Sequence, residues 1–305
     1  MRIGICLPQL GALAGAENCV KAAQRAEALG YDSLWVLDRL LYPVKPQTPY
    51  PVTPDGSLPE PYQRVLDPIG LLMFAATHTQ RVALGTSVLD MPFYNPVVLA
   101  RQLTTLDVLS GGRLRLGLGQ GWSQDEFDAT GADAKRRGPR ADEFLQVLKA
   151  IWTTDPVEFQ GKFFRVPKSI IQPKPVQKPH PPIIIAAFAE RALKRVARFA
   201  DGWNPTGIPL KSLPPMIQNL RAMAKKEGRD PSALKIYVRG NLVLSQKPRG
   251  KDGADFTGTL DDIKEDVARC QALGAEELFF DLNFSPDGQS LDRYLALMEK
   301  LSRFK

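Results

Sequence analysis

The 305-residue sequence predicts an α/β fold, a (β/α)8 TIM barrel read as a single domain over residues 1–305. Three observations predict it. Short β-rich runs alternate eight times with longer amphipathic segments, the order that lays parallel strands beside one another with helices between them. The chain length is that of one such barrel. The two long stretches that fit neither period fall between elements and interrupt none. A doubly wound sheet is the alternative fold that the same alternation allows.

The elements follow in order. "RIGICL" (2–7) reads as the first strand, residues 16–29 repeat apolar positions at three and four as a helix does, and "SLWVL" (33–37) is the second strand. A helix over 67–77, the strand "VALGTSVL" (82–89), a helix over 96–109 and the strand 114–118 complete four units. A helix over 140–152 comes next, then the strand "PIIIAAF" (182–188), a helix over 189–200 and a short strand near 202–204. Helix 213–227, strand 235–244, helix 260–273, strand "ELFFDL" (277–282) and helix 290–304 close the pattern.

Residues 42–66 carry seven prolines, too many for a helix or a central strand, and they follow the second strand directly. They form an insertion that is either a lid over the strand ends or a surface loop. Residues 153–181, with the β-like pieces "VEFQ" and "KFFRV" before "QPKPVQKPHPP", form a second insertion between strands 4 and 5.

Composition removes several function classes. With 44% hydrophobic and 24% charged residues the chain can bury a large core, and its apolar runs fall short of the roughly 18 residues of a membrane span. The N-terminal run enters a strand without a charged leader, so a cytoplasmic protein is expected. The net charge of +7 comes from 40 basic residues scattered among 33 acidic ones, which argues against nucleic acid. The densest basic cluster, "KRRGPR" (135–140), is a solvated loop or a landing strip for an anionic group. Cys6, Cys19 and Cys270 are widely spaced, which gives neither a disulfide framework nor metal-ligand spacing.

In a barrel the chemistry lies at the C-terminal ends of the strands. His78 and His180 both lie off those ends, so a His-based metal site or a Ser-His-Asp triad is hard to build, and no strand end offers a lysine for Schiff-base chemistry. "LRLGLGQGW" (114–122) places Gly117, Gly119 and Gly121 at every second residue. This is not the G-x-G-x-x-G dinucleotide fingerprint. Either a tight strand-to-loop bend needs the glycines, or backbone N–H groups there approach a phosphate or a flat ring.

The stretch "LGTSVLDMPFYNPVVLARQLTTLDVLSGGRLRLGLGQGWSQDEF" (84–127) resembles the core of the luciferase-like flavin oxidoreductases, the family of bacterial luciferase and coenzyme F420-dependent enzymes. "EALGYDSLWVLDRL", "RADEFLQVLKAIWT", "VEFQGKFFRV" and "PHPPIIIAAFAERALKRVARFADGWNP" extend the resemblance collinearly over residues 1–207. It implies a barrel that binds coenzyme F420, or alternatively FMN, at the strand ends, with a bend at Ser87-Val88, often a cis peptide, and Leu89 behind the ring. Phosphate and ribityl contacts then fall on Gly119, Gln120, Gly121 and Ser123, and on Ala186, Ala187 and Phe188, where many relatives have Gly-Gly at 186–187.

Two departures bear on mechanism. Many F420-using relatives read Asp-His where this chain has Asp38-Arg39, and relatives that oxidise sugar phosphates have a glutamate at Gln120. Neither Arg nor Gln shuttles a proton at neutral pH. Asp38 and Arg39 are the catalytic candidates, with Asp38 also beside the ring. Arg39 can anchor an anionic substrate, stabilise an enolate-like charge or pair with Asp38. Phe93, Tyr94, Trp122, Phe188 and Trp203 can wall a moderately apolar substrate, and Tyr42, Tyr50 and Tyr62 can line a lid. The resemblance implies hydride transfer at the deazaflavin C5 to or from a small molecule, and a homodimer. An FMNH2-dependent monooxygenase using O2 is the enzyme alternative, and a flavin-binding protein without catalysis is the alternative outside enzymes.

Overall fold

The computed structural model describes residues 1–53, 55–251 and 253–304. Eight parallel strands close into a barrel: β1 (Arg2–Cys6), β2 (Ser33–Val36), β3 (Ala83–Thr86), β4 (Leu114–Gly119), β5 (Ile183–Ala186), β6 (Gly202–Asn204), β7 (Lys235–Asn241) and β8 (Glu277–Asp281). Each pairs with the next in chain order, and β8 returns to β1 with Ile3 opposite Leu278. Hydrogen bonding all the way round leaves no sheet edge, and helices cover the outside.

The predicted helices form where their capping chemistry sits. Asp67 caps Pro68–His78 by accepting from the Gly70 N–H at 2.6 Å, Asn95 caps Pro96–Leu109, and Thr259 and Asp262 make a reciprocal capping box at the start of Leu260–Ala272. The helix predicted over 140–152 starts earlier, at Arg137, and runs to Thr153. A short helix, Gln124–Thr130, lies between β4 and it, and the sequence pattern did not predict it. Seven residues are too few for a readable helical period.

Alternation sorts the barrel side chains into layers. Trp35, Tyr237 and Phe279 fill the interior, with Trp35 stacked on Phe279 at 4.2 Å between centroids. Below them Glu277, fully buried, accepts from the Trp35 indole at 2.8 Å, from Ser33 and from Arg115. That plug fills the N-terminal half of the barrel interior, and the strand ends where barrel chemistry is carried out lie at the opposite, C-terminal mouth.

The 42–66 segment covers the mouth, with Leu58 and Tyr62 joining Leu10 and Leu37 in an apolar cluster against which Tyr42, Tyr50, Trp122 and Phe284 pack. The second insertion contains an antiparallel hairpin, Val157–Gln160 with Arg165–Ser169. The strand predicted over 82–89 is two pieces. It ends at Thr86, turns through a cis Ser87-Val88 peptide and resumes at Leu89–Asp90 beside β4. Among the described residues, no helix is long and apolar enough to cross a membrane.

Candidate functional site

The glycine run on β4 is explained by the β3 bend beside it. A Cβ on Gly117 would stand 1.8 Å from the Thr86 carbonyl oxygen, and one on Gly119 would stand 2.5 Å from both Val88 and the Asp90 carboxylate. Gly121 has φ +66, a left-handed conformation that favours glycine. What approaches the first two glycines is the protein's own Thr86–Asp90 backbone and side chains. Gly117 and Gly119 lie inside β4 and make room for a bend in the neighbouring strand, not for a strand-to-loop bend of their own, and the Gly121 N–H donates to Asp90 Oδ1 at 2.8 Å.

This bend brings two carboxylates together. Asp38 Oδ2 accepts from the Tyr94 hydroxyl at 2.8 Å and from the Asp90 N–H at 3.3 Å. Burial pushes the Asp38 carboxyl up to about 6, with Tyr94 pulling the other way. Burial, and then the neighbouring Asp38 charge, push Asp90 up to about 7. The mouth thus holds groups that change protonation near neutral pH although it has no histidine.

Arg39 does not pair with Asp38, as one reading of the sequence allowed. Its guanidinium lies 3.1 Å from Glu126 and over the rings of Trp122 and Tyr62, at 4.8 and 5.3 Å from their centroids. The Arg39 side chain is 4% exposed and that of Glu126 1%. Glu126 also accepts the Leu40 N–H at 2.8 Å. Arg39 is therefore a cation clamped under the 42–66 segment, where it ties that segment to the loop after β4. Tyr62 and Trp122 are the walls of that clamp, and the Tyr50 and Tyr62 hydroxyls meet at 3.2 Å.

The remaining predicted residues divide. Ser87 Oγ accepts from Asn204 at 2.9 Å and its carbonyl accepts from Arg239 at 3.2 Å, so the bend is held from β6 and β7. Val88 is half-buried at the mouth and Leu89 is buried behind it. The Gln120 amide donates to the Arg137 carbonyl at 3.3 Å, and Ser123 is buried at the start of the Gln124–Thr130 helix. Ala186 is half-buried and Phe188 is exposed, just before Glu190–Phe199, whose N-terminus has no side-chain cap.

Trp203 is a correction. It is fully buried, with its indole donating to the Ala187 carbonyl at 2.9 Å, because Gly202 and Asn204 take the inward positions of β6 and alternation turns Trp203 to the helical layer. It cannot wall a substrate. Phe93 packs edge-on against Phe127 and lines a separate outer cavity of about 360 Å³ with Tyr94 and Arg140.

Sequence reasoning missed Asp90, Glu126 and Arg239. Arg239 was legible in part: in "KIYVRGN" it follows Tyr237 at the inward period of an otherwise apolar strand, where an ordinary core has no charge. It is ion-paired with Asp281, whose other oxygen accepts from the Asn283 backbone and side chain.

The luciferase-like monooxygenase family profile matches residues 1–249. An uncharacterized protein of Mycobacterium tuberculosis is 33% identical over 285 residues, 92% of this chain and 91% of that protein. An F420-dependent glucose-6-phosphate dehydrogenase of Amycolatopsis mediterranei is 33% identical over 62% of this chain and 53% of its own length. An FMNH2-dependent dimethylsulfone monooxygenase of Pseudomonas putida is 31% identical over 54% and 45%. The solved monooxygenase RslO1 of Streptomyces bottropensis superposes with a TM-score of 0.81 at 21% identity, covering 99% of this chain and 98% of its own. With its profile match and the barrel built around the β3 bend, this chain belongs to the luciferase-like monooxygenase family.

Proposed function

We propose that this protein is a coenzyme F420-dependent oxidoreductase that exchanges a hydride with a small substrate at the C-terminal mouth of the barrel. The observation that carries this reading is Asp38, held by Tyr94 with its carboxyl near 6 beside the β3 bend. A redox reaction that moves a hydride to or from carbon also moves a proton, and Asp38, with Asp90 beside it, is a group at the mouth able to give or take it. It fills the role left vacant by Arg39, which is tied to Glu126.

The residues present fit the cofactor. Val88 and the Ser87 carbonyl would hold the flat ring, and the uncapped first turn of Glu190–Phe199 would offer backbone N–H groups to a phosphate, with Ala186, Ala187 and Phe188 leading into it. When bound, the deazaflavin supplies the hydride acceptor and donor at its C5. The chain supplies the floor, the phosphate turn and the proton carrier, and the Tyr50, Tyr62 and Trp122 cluster keeps water off the mouth.

An FMNH2-dependent monooxygenase using O2 is the second reading, favoured by the likeness to the dimethylsulfone monooxygenase. Titrating the purified chain with F420 and FMN while following fluorescence quenching separates the two. Micromolar binding of F420 with weak FMN binding supports the proposal, tight FMN with no F420 replaces it, and binding of neither removes both. Exposed Val98 and Leu109 on one helix, and Phe74 on its neighbour, support a homodimer, for which light scattering gives the mass.

A further inference from the structure

A cavity of about 630 Å³ opens beside the mouth, walled by β7 and by the loops that follow β6 and β7. Two buried side-chain atoms on its β7 wall have no hydrogen-bond partner among the described residues: Arg239 Nε and Asn241 Oδ1. Two residues apart on one strand, they share a face. Buried polar atoms are rarely left without a partner, so two of them on residues that line one cavity point to a bound group that pairs them.

The rim adds charge. Arg249 is paired with Asp266, and Arg269 with Asp255 and Asp266, whereas the exposed Lys211 and Lys251 have no ion pair among the described residues. Ile208 and Phe256 give the cavity apolar walls, and Phe256 has φ 63, a left-handed backbone that a non-glycine residue keeps only where its surroundings impose it.

We infer that this cavity is the substrate pocket and takes a small organic anion, its polar reacting end held by Arg239 and Asn241, its apolar body on Ile208 and Phe256, and its carboxylate or phosphate at Lys211 and Lys251. The inference rests on the proposed function in placing the reacting end beside the Ser87-Val88 floor, which Arg239 touches directly. It gives the moderately apolar substrate expected from the sequence an anionic end.

The test is calorimetric binding of hexanoate, hexyl phosphate and the neutral hexanol to the full chain, with and without the flavin it binds. The expected result is that one or both anions bind at least about tenfold tighter than hexanol and weaken with salt. Lys211→Ala with Lys251→Ala, both at exposed positions, then removes that advantage without moving the affinity for hexanol or flavin. Asn241→Ala weakens all three ligands. Preference for the phosphate over the carboxylate, or the reverse, identifies the anionic end. Equal binding of hexanol and the anions, or anion affinity that survives the double substitution, overturns the inference. Anion binding without flavin binding keeps the pocket and removes the redox reading, whereas flavin binding without anion binding does the opposite.

Discussion

Replacing Arg39 by Met, Glu126 by Leu, and both together tests whether Arg39 serves the fold or the substrate. At 3.1 Å and an effective dielectric of about 20, the pair is worth on the order of 5 kcal/mol of Coulomb energy, set against the cost of drying two charges. Removing one partner leaves the other charge buried, since both side chains are less than 5% exposed. Each single substitution is expected to cost about 4 kcal/mol, a Tm loss on the order of 10 °C for a chain of this size. The double substitution leaves two apolar side chains between Trp122 and Tyr62, with the Leu40 N–H turned to water. It is expected to lie within about 1.5 kcal/mol of the wild type. The assay is urea unfolding of the four proteins, followed by flavin titration of each. Two outcomes refute the reasoning: a double variant that loses the sum of the two singles, or one that refolds to full stability but no longer turns over substrate while binding flavin normally. The second would return Arg39 to the role of substrate anchor.

Further expected outcomes concern the bend and its carboxylates. Asp38 and Asp90 keep protons in the native state to about pH 6 and 7, whereas unfolded aspartates lose theirs near 3.9. The folded protein therefore binds more protons between those limits, and stability falls as pH rises from about 4 to 7. Asp38→Asn with Asp90→Asn should flatten that slope in denaturation measured across the range. Tyr94→Phe removes a hydrogen bond that favours the ionised Asp38, so the apparent pKa governing turnover should move above 6 by about one unit, read from the pH dependence of kcat/KM; an unmoved profile assigns the titration elsewhere. Gly117→Ala meets a backbone oxygen at 1.8 Å and should cost about 3 kcal/mol or more, whereas Gly111→Ala, with open space around it but φ +69, should cost only about 1 kcal/mol. Comparable urea midpoints for these two variants would contradict the reading of the β4 glycines. Asp38→Asn should reduce turnover at least about a hundredfold while leaving flavin affinity within a factor of a few, the mark of a proton carrier.

Much of the architecture was legible because its signals are local. Strand and helix periods and the prolines of 42–66 each act within a few residues of themselves, and they sufficed to predict eight units and two insertions. The family was legible in residues 84–127 because the bend and the glycines that accommodate it fall within that one continuous stretch. The partner of Arg39 was not, since Glu126 lies 87 residues away, on a helix too short to show a period. Neither was the layer that Trp203 faces, which depends on the phase of a three-residue strand, nor the meeting of Arg239 with Ser87 across the barrel. The sequence by itself determined which segments become strands and helices, because propensity, capping and hydrophobic period are properties of short stretches. Only the closed barrel decided which polar groups meet at its mouth and which are left unpaired, because burial and charge pairing depend on distances between residues that the chain keeps far apart.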